Sequence, residues 1–272
     1  MSIELGIRLF QIALVAYLVS AVFYITSFVR KSQAIGRMGT GFLVAGLIVH
    51  TASLIVRGLV TGAPPFLNLY EYMLSLTWSG VIVYLGLEWA TRSRVYGLLG
   101  VPLISISALI TNSLSAEPRP VPVALQSIWR VPHILTATFA YAAFGMAFCI
   151  SILYLLRDMR SEKSPLASKL PSKDTLDNAI YRTVAFGFLM ETLLILTGAL
   201  WAQKAWSRYW GWDSKETWSL ITWLVYAVYL HTRMTVGWRG KKSVILVMVG
   251  FGVAMFTLFG VNLLGGLHSY AN

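Results

Sequence analysis

Residues 134–156 read ILTATFAYAAFGMAFCISILYLL, 23 residues without a single charge. A helix needs about 20 mostly apolar residues to cross the hydrocarbon of a bilayer, whereas a membrane barrel would show strands of about 10 alternating residues. The run therefore predicts a transmembrane helix. Similar runs recur at 6–29, 40–59, 70–89, 95–112, 182–202, 216–233 and 243–263. The expected fold is all-α, a polytopic membrane helix bundle of about eight transmembrane helices forming a single integral membrane domain over 1–272.

Composition agrees. Of the 272 residues, 57% are hydrophobic and only 12% charged, about half the charged share of a soluble domain. The mean hydropathy is +0.67. So little charge cannot cover the core of a soluble protein of this length, which excludes a soluble enzyme, a disordered chain and a fibrous repeat. The first span has no small-residue cleavage site and is long enough to cross, so it is expected to remain as a helix. No internal repeat is evident, and transporter-like symmetry has no support.

Charge sets the expected orientation. The connectors after spans one, three, five and seven hold 15 of the 22 basic residues, and the opposite side holds 7. The first set is read as cytoplasmic, so both termini fall on the outer (periplasmic) side. The net charge of +11 is mostly this bias and implies membrane lipid as a neighbour, with no nucleic acid. The connector 157–181 mixes signs and reads as a solvated cytoplasmic loop. External loops are expected at 113–133 and 203–215. Cys149, the one cysteine, lies inside the apolar run and reads as a small buried side chain; neither a disulfide within the chain nor a cysteine metal cluster is possible.

The four histidines are the best chemical clue. His133 and His268 fall at the outer ends of spans five and eight. His50 lies in mid-span two, and His231 near the inner end of span seven. Each alone has a plain reading, a polar ring at the headgroup level or a hydrogen-bonded core residue. A histidine at mid-membrane is costly and normally faces the bundle interior. Together they make two pairs at two depths. Neutral imidazole is a good axial ligand for haem iron. Copper or zinc usually wants three or four ligands, and no carboxylate or methionine cluster completes either pair. Haem brings its own equatorial nitrogens, so two histidines suffice.

Residues 201–231 read WAQKAWSRYWGWDSKETWSLITWLVYAVYLH and hold six of the ten tryptophans. An interfacial aromatic belt accounts for Trp201 and Trp223. It does not account for Trp206, Tyr209, Trp210 and Trp212 crowded into one loop, which offers flat aromatic surface to a flat aromatic ligand. Asp213 and Glu216 have the spacing of a capping box at the start of span seven. That first helical turn, with Lys204, Arg208 and Lys215 nearby, also favours anions such as haem propionates.

The stretch 197–233, TGALWAQKAWSRYWGWDSKETWSLITWLVYAVYLHTR, closely resembles the tryptophan-rich "WWD" signature of the CcsA/ResC-type cytochrome c biogenesis proteins of system II. The resemblance extends to PPFLNLYEYMLSLTW at 64–78 and FGVNLLGGLHSY at 259–270. It implies haem b as cofactor and, as function, haem delivery across the membrane and presentation to apocytochrome c (CXXCH) for thioether attachment. It also implies that His133 and His268 ligate an external haem and that His50 and His231 form an inner site. Trp206, Trp210, Trp212 and Trp218 with Asp213 would cradle the porphyrin.

No catalytic side chain is implied. Haem–cytochrome c synthetase (lyase) activity is expected only as a complex with a Ccs1/ResB-type membrane subunit, in a bacterial cell (inner) membrane rather than a thylakoid. A haem-containing electron-transfer protein, a porphyrin transporter without attachment chemistry and a purely structural subunit remain alternatives. Two positions depart from the family pattern. Ser214 stands where many members have proline, and Glu191 sits inside span six, where an apolar residue is expected; it reads as a hydrogen bonder at a helix interface, with a functional polar residue as the alternative.

Overall fold

The computed structural model describes residues 2–66, 68–118, 126–161 and 164–261. Among them lie eight α-helices: α1 (Ile3–Arg30), α2 (Gln33–Thr61), α3 (Leu69–Thr91), α4 (Gly97–Ser113), α5 (Arg130–Asp158), α6 (Lys173–Trp206), α7 (Ser214–Thr235) and α8 (Lys241–Leu258). Six are long and apolar enough to cross a membrane. The other two are α4, with 17 residues, and α7, whose buried positions Thr222, Tyr226, Tyr229 and Arg233 form one stripe along an otherwise more polar helix.

The helix ends follow local chemistry. Ser2, Ser32, Asn68, Ser172 and Asp213 each accept a backbone N–H of the first turn through the side chain. These caps satisfy donors that a helix start leaves without partners. At the other ends Lys31, Gly62, Arg92 and Ser207 turn into the left-handed region. α6 begins at Lys173, nine residues before the expected span. Leu176, Asp177, Ala179 and Ile180 are buried there, and Asp177 forms a 2.6 Å ion pair with Arg233 of α7. The last nine residues of the expected 157–181 loop are thus the first turns of a helix, preceded by a 3₁₀ turn at Ala167–Lys169.

The helices form two compact units, α1–α4 with the 3₁₀ turn, and α5–α8. In unit 1, α1 packs on α2 and α4, and α3 on α4 and α2. Unit 2 repeats that order, with α5 on α6 and α8, and α7 on α8 and α6. The side chains repeat as well. A Cβ on Gly46 of α2 would lie 2.6 Å from the Tyr17 ring of α1, and one on Gly187 of α6 would lie 2.6 Å from the Phe144 ring of α5. Trp78 donates its indole N–H to Thr51, as Trp223 does to Thr192, both at 2.9 Å. This four-helix repeat was not evident in the sequence, because its matches are single residues in runs of interchangeable apolar neighbours.

Unit 1 is fastened at the end where α1 and α3 begin by a buried ion pair, Arg57 Nε to Glu71 Oε1 at 2.6 Å. Arg57 also donates to the Ala116 carbonyl, and Asn68 to that of Glu117, so the segment after α4 is tied down. Removing one member of such a pair leaves a buried charge, a loss of about 3–5 kcal/mol. Glu71→Ala should show that loss as a lower unfolding midpoint in detergent. Glu71→Leu combined with Arg57→Met should recover most of it.

Candidate functional site

The site residues that the structure brings together lie at the end of unit 2 where α5 and α7 begin. His133 is in the first turn of α5, half-buried, with Nδ1 3.1 Å from the Leu194 carbonyl of α6. Bonding that carbonyl makes Nδ1 the protonated nitrogen, so the lone pair is on Nε2. The ring lies against Gly198, where a Cβ would sit 2.9 Å from Cε1 and 3.0 Å from Nδ1. Trp201 meets the ring edge-on at 5.3 Å. A glycine, a carbonyl and an indole on successive turns of α6 thus fix both position and tautomer. A ligating imidazole is held in this way, one nitrogen on a backbone oxygen and the other for the metal.

The tryptophan loop follows from the same helix. Trp206 ends α6, and Ser207 turns the chain at φ 58. Glu216 Oε2 then accepts two loop amides, Gly211 N at 2.7 Å and Asp213 N at 3.3 Å. Asp213 Oδ1 accepts the Glu216 N–H at 2.8 Å, completing the capping box. Trp212, between the two clamped amides, has φ 56. A bulky side chain there is strained by about 1–2 kcal/mol. The result is an indole 69% exposed, standing perpendicular to Trp210 at 5.6 Å. The Arg208 guanidinium covers Gly211, where a Cβ would lie 2.7 Å from it. Burial pushes the Lys215 ammonium below the usual lysine value, against the pull of Asp213. Trp218 faces α8, 4.4 Å from Phe256, and its carbonyl accepts from Thr257; it anchors the base of the loop.

His50 of unit 1 is fully buried, with Nδ1 3.0 Å from the Tyr17 hydroxyl and the ring 5.0 Å from Phe10. Its Nε2 is buried without a close hydrogen bond, and the Leu74 backbone of α3 lies against the ring. One nitrogen held by a neighbour is what an axial ligand needs. His231 is exposed near the far end of α7, off the helix's buried stripe. His268 lies outside the described residues. Sequence reasoning missed Gly198, the Leu194 carbonyl and Tyr17. It also gave Trp201 to the aromatic belt, although the spacing 194, 198, 201 marks one face of a helix.

The chain is similar to known proteins over nearly its whole length. The family described as Cytochrome C assembly protein matches residues 66–268. The cytochrome c biogenesis protein CcsA of Guillardia theta is 34% identical, over 95% of this chain and 92% of that protein. CcsA of Microcystis aeruginosa is 36% identical over 86% and 87%, and that of Chlamydomonas reinhardtii 39% identical over 88% and 69%. Among solved structures, a cytochrome c haem lyase, CcmF, shares the fold at a TM-score of 0.68 and 16% identity. That match covers all of this chain and 52% of CcmF, so the chain spans about half the length of its structural neighbour. The helices and these relatives define a multi-span membrane protein. The chain belongs to the cytochrome c assembly family.

The clamp makes opposite demands on stability and exposure. Trp212→Gly should relieve the strain and raise stability by up to about 1 kcal/mol. Glu216→Gln should weaken the clamp and cost about 1 kcal/mol. Hydrogen exchange at the Gly211 and Asp213 amides checks the second, with faster exchange in Glu216→Gln than in the unaltered chain.

Proposed function

We propose that this chain carries haem b across the membrane and presents it at the outer face to apocytochrome c. One observation carries this proposal: a tautomer-fixed imidazole, His133, lies at the same end of unit 2 as a clamped loop that exposes Trp212 beside a half-buried Trp210. Membership of the cytochrome c assembly family supports it.

Haem is cargo here and supplies the iron and two vinyl groups. Each cysteine S–H of the CXXCH segment adds across one vinyl double bond, sulfur to one carbon and hydrogen to the other, which leaves a thioether and no net oxidation. The chain's own residues bind and orient. His133 offers Nε2 to the iron, with His268 as the second axial ligand. Trp210 and Trp212 cover the porphyrin, and Trp206 and Trp218 frame it. Asp213, with Glu216, holds the loop in place. Lys204, Arg208 and Lys215 suit the propionates. One imidazole leaves as the CXXCH histidine takes its position.

His50 and His231 serve an earlier, inner station. In this reading the chain crosses a bacterial cell membrane eight times with both termini outside, and the inner station lies within the membrane. A Ccs1/ResB-type subunit completes the synthetase, since no described segment of this chain is large enough to hold an apocytochrome.

Co-expression of the chain, that partner and an apocytochrome c tests the outer site. His133→Gly should abolish covalent cytochrome c in a pyridine haemochrome assay, and added imidazole should restore part of it by filling the vacated position. Gly198→Ala, which pushes the ring off its seat, should lower the yield without lowering protein abundance. Normal yields from both variants would contradict the outer site. For the inner station, Tyr17→Phe leaves His50 Nδ1 without its partner. It should reduce haem co-purifying with the whole protein several-fold, while unaltered haem content would remove the inner role of His50.

A further inference from the structure

The interior of unit 2 holds an acid that the site above does not use. Glu191 lies at mid-length of α6 and is fully buried, and neither carboxyl oxygen has a hydrogen-bond partner among the described residues. The expected helix-interface hydrogen bond is therefore absent there. An ionisable side chain in a membrane interior is costly to bury and marks a function by default.

Its surroundings are built. Gly187, one turn earlier on the same face, receives the Phe144 ring of α5. Phe144 stacks on Tyr226 of α7 at 3.8 Å and 9°. The Tyr226 hydroxyl interacts electrostatically with Glu191, is itself fully buried and has no hydrogen-bond partner among the described residues. Trp223 bonded to Thr192 holds α7 against α6 at this depth.

Other buried polar atoms of unit 2 are in the same condition. Trp201 Nε1 and Gln203 Oε1 lie toward the tryptophan loop, the Tyr229 hydroxyl and Ser243 Oγ toward the far end. Buried polar groups without protein partners are normally satisfied by ordered water.

Unit 1 carries His50 at the matching place. Gly46 precedes it by four residues, as Gly187 precedes Glu191, and Thr51 follows it, as Thr192 follows Glu191. In unit 1 the tyrosine hydroxyl comes from α1 as Tyr17; in unit 2 it comes from α7 as Tyr226, because Phe144 stands in the α1-equivalent place. Each unit thus pairs one acid–base side chain with one phenol inside its bundle.

We propose that Glu191 and Tyr226 form a hydrated proton-exchange site inside unit 2. The carboxyl O–H gives its proton to bound water and takes one back; no other bond breaks and no electron moves. Tyr226 on α7 is the titratable group tied to Glu191, and on α5 Tyr141 is buried between Phe144, which meets Gly187, and His133, which meets Gly198. The ionic groups of α6 and α7 lie at the ends of the unit, as Asp177 with Arg233 and as Asp213, Lys215 and Glu216.

A hydrophobic carbodiimide reacts with protonated carboxyls in apolar surroundings and so reads this site without haem. The full chain in phosphatidylcholine nanodiscs, treated with dicyclohexylcarbodiimide and mapped by peptide mass, should carry an N-acylurea on Glu191. The adduct should be lost as the pH is raised and absent from Glu191→Gln. Radiolytic hydroxyl-radical labelling of the unaltered chain reads the water directly. Tyr226 should oxidise several-fold faster than Tyr84, which is equally buried but bonded to Glu88. A Glu191 that stays unlabelled across the pH range, or a Tyr226 as protected as Tyr84, would overturn the proposal.

Discussion

Close approach at glycine on the second helix of each unit is the constraint on which the rest of the structure depends. In lipid the helices gain little from hydrophobic association, so small residues that let neighbours pack closely decide where helices meet. Gly46 seats Tyr17, Gly187 seats Phe144 and Gly198 seats His133, each so tightly that a Cβ would lie within 3 Å of the partner ring. These contacts set the depth of the chemistry. Tyr17 in turn holds His50, Phe144 holds Tyr226, and the turn that bears Gly198 offers His133 its carbonyl at Leu194. A methyl group at any of these glycines would move a side chain that has a further task.

The tryptophan loop obeys a different rule. Its shape comes from one carboxylate, Glu216, which grips the amides on either side of Trp212 and forces that residue into a strained backbone. Strain is tolerated where surrounding bonds over-determine a conformation, and it concentrates at working sites. Here it turns outward an indole that apolar burial would have drawn inward. The capping box is therefore both the start of α7 and the device that exposes the aromatic face.

Much of this was legible in the sequence. The eight apolar runs located each of the eight helices, although α2 and α6 begin seven and nine residues before the expected spans. Asp213 and Glu216 were readable as a capping box, since the motif is local. What stayed hidden was relational. The start of α6 was obscured by Lys173, Asp174 and Asp177, whose charges look like a loop until Asp177 meets Arg233. Trp201 looked like an interfacial anchor until the fold set it against His133. Glu191 looked like a hydrogen-bonding residue until the packing left it without a protein partner. The repeat of unit 1 in unit 2 rests on Gly46 with Gly187 and on Trp78 with Trp223, matches too sparse to stand out among apolar residues.

The central claim is that the chain holds haem at the end of unit 2 through an imidazole whose other nitrogen is fixed by α6. An electron cryo-microscopy map of the haem-loaded chain with its partner subunit tests this most directly. Porphyrin density beside Trp210 and Trp212, with iron bonded to His133 Nε2 and Nδ1 still on the Leu194 carbonyl, is the predicted result. Haem bound elsewhere, with His133 turned away from it, would contradict the account.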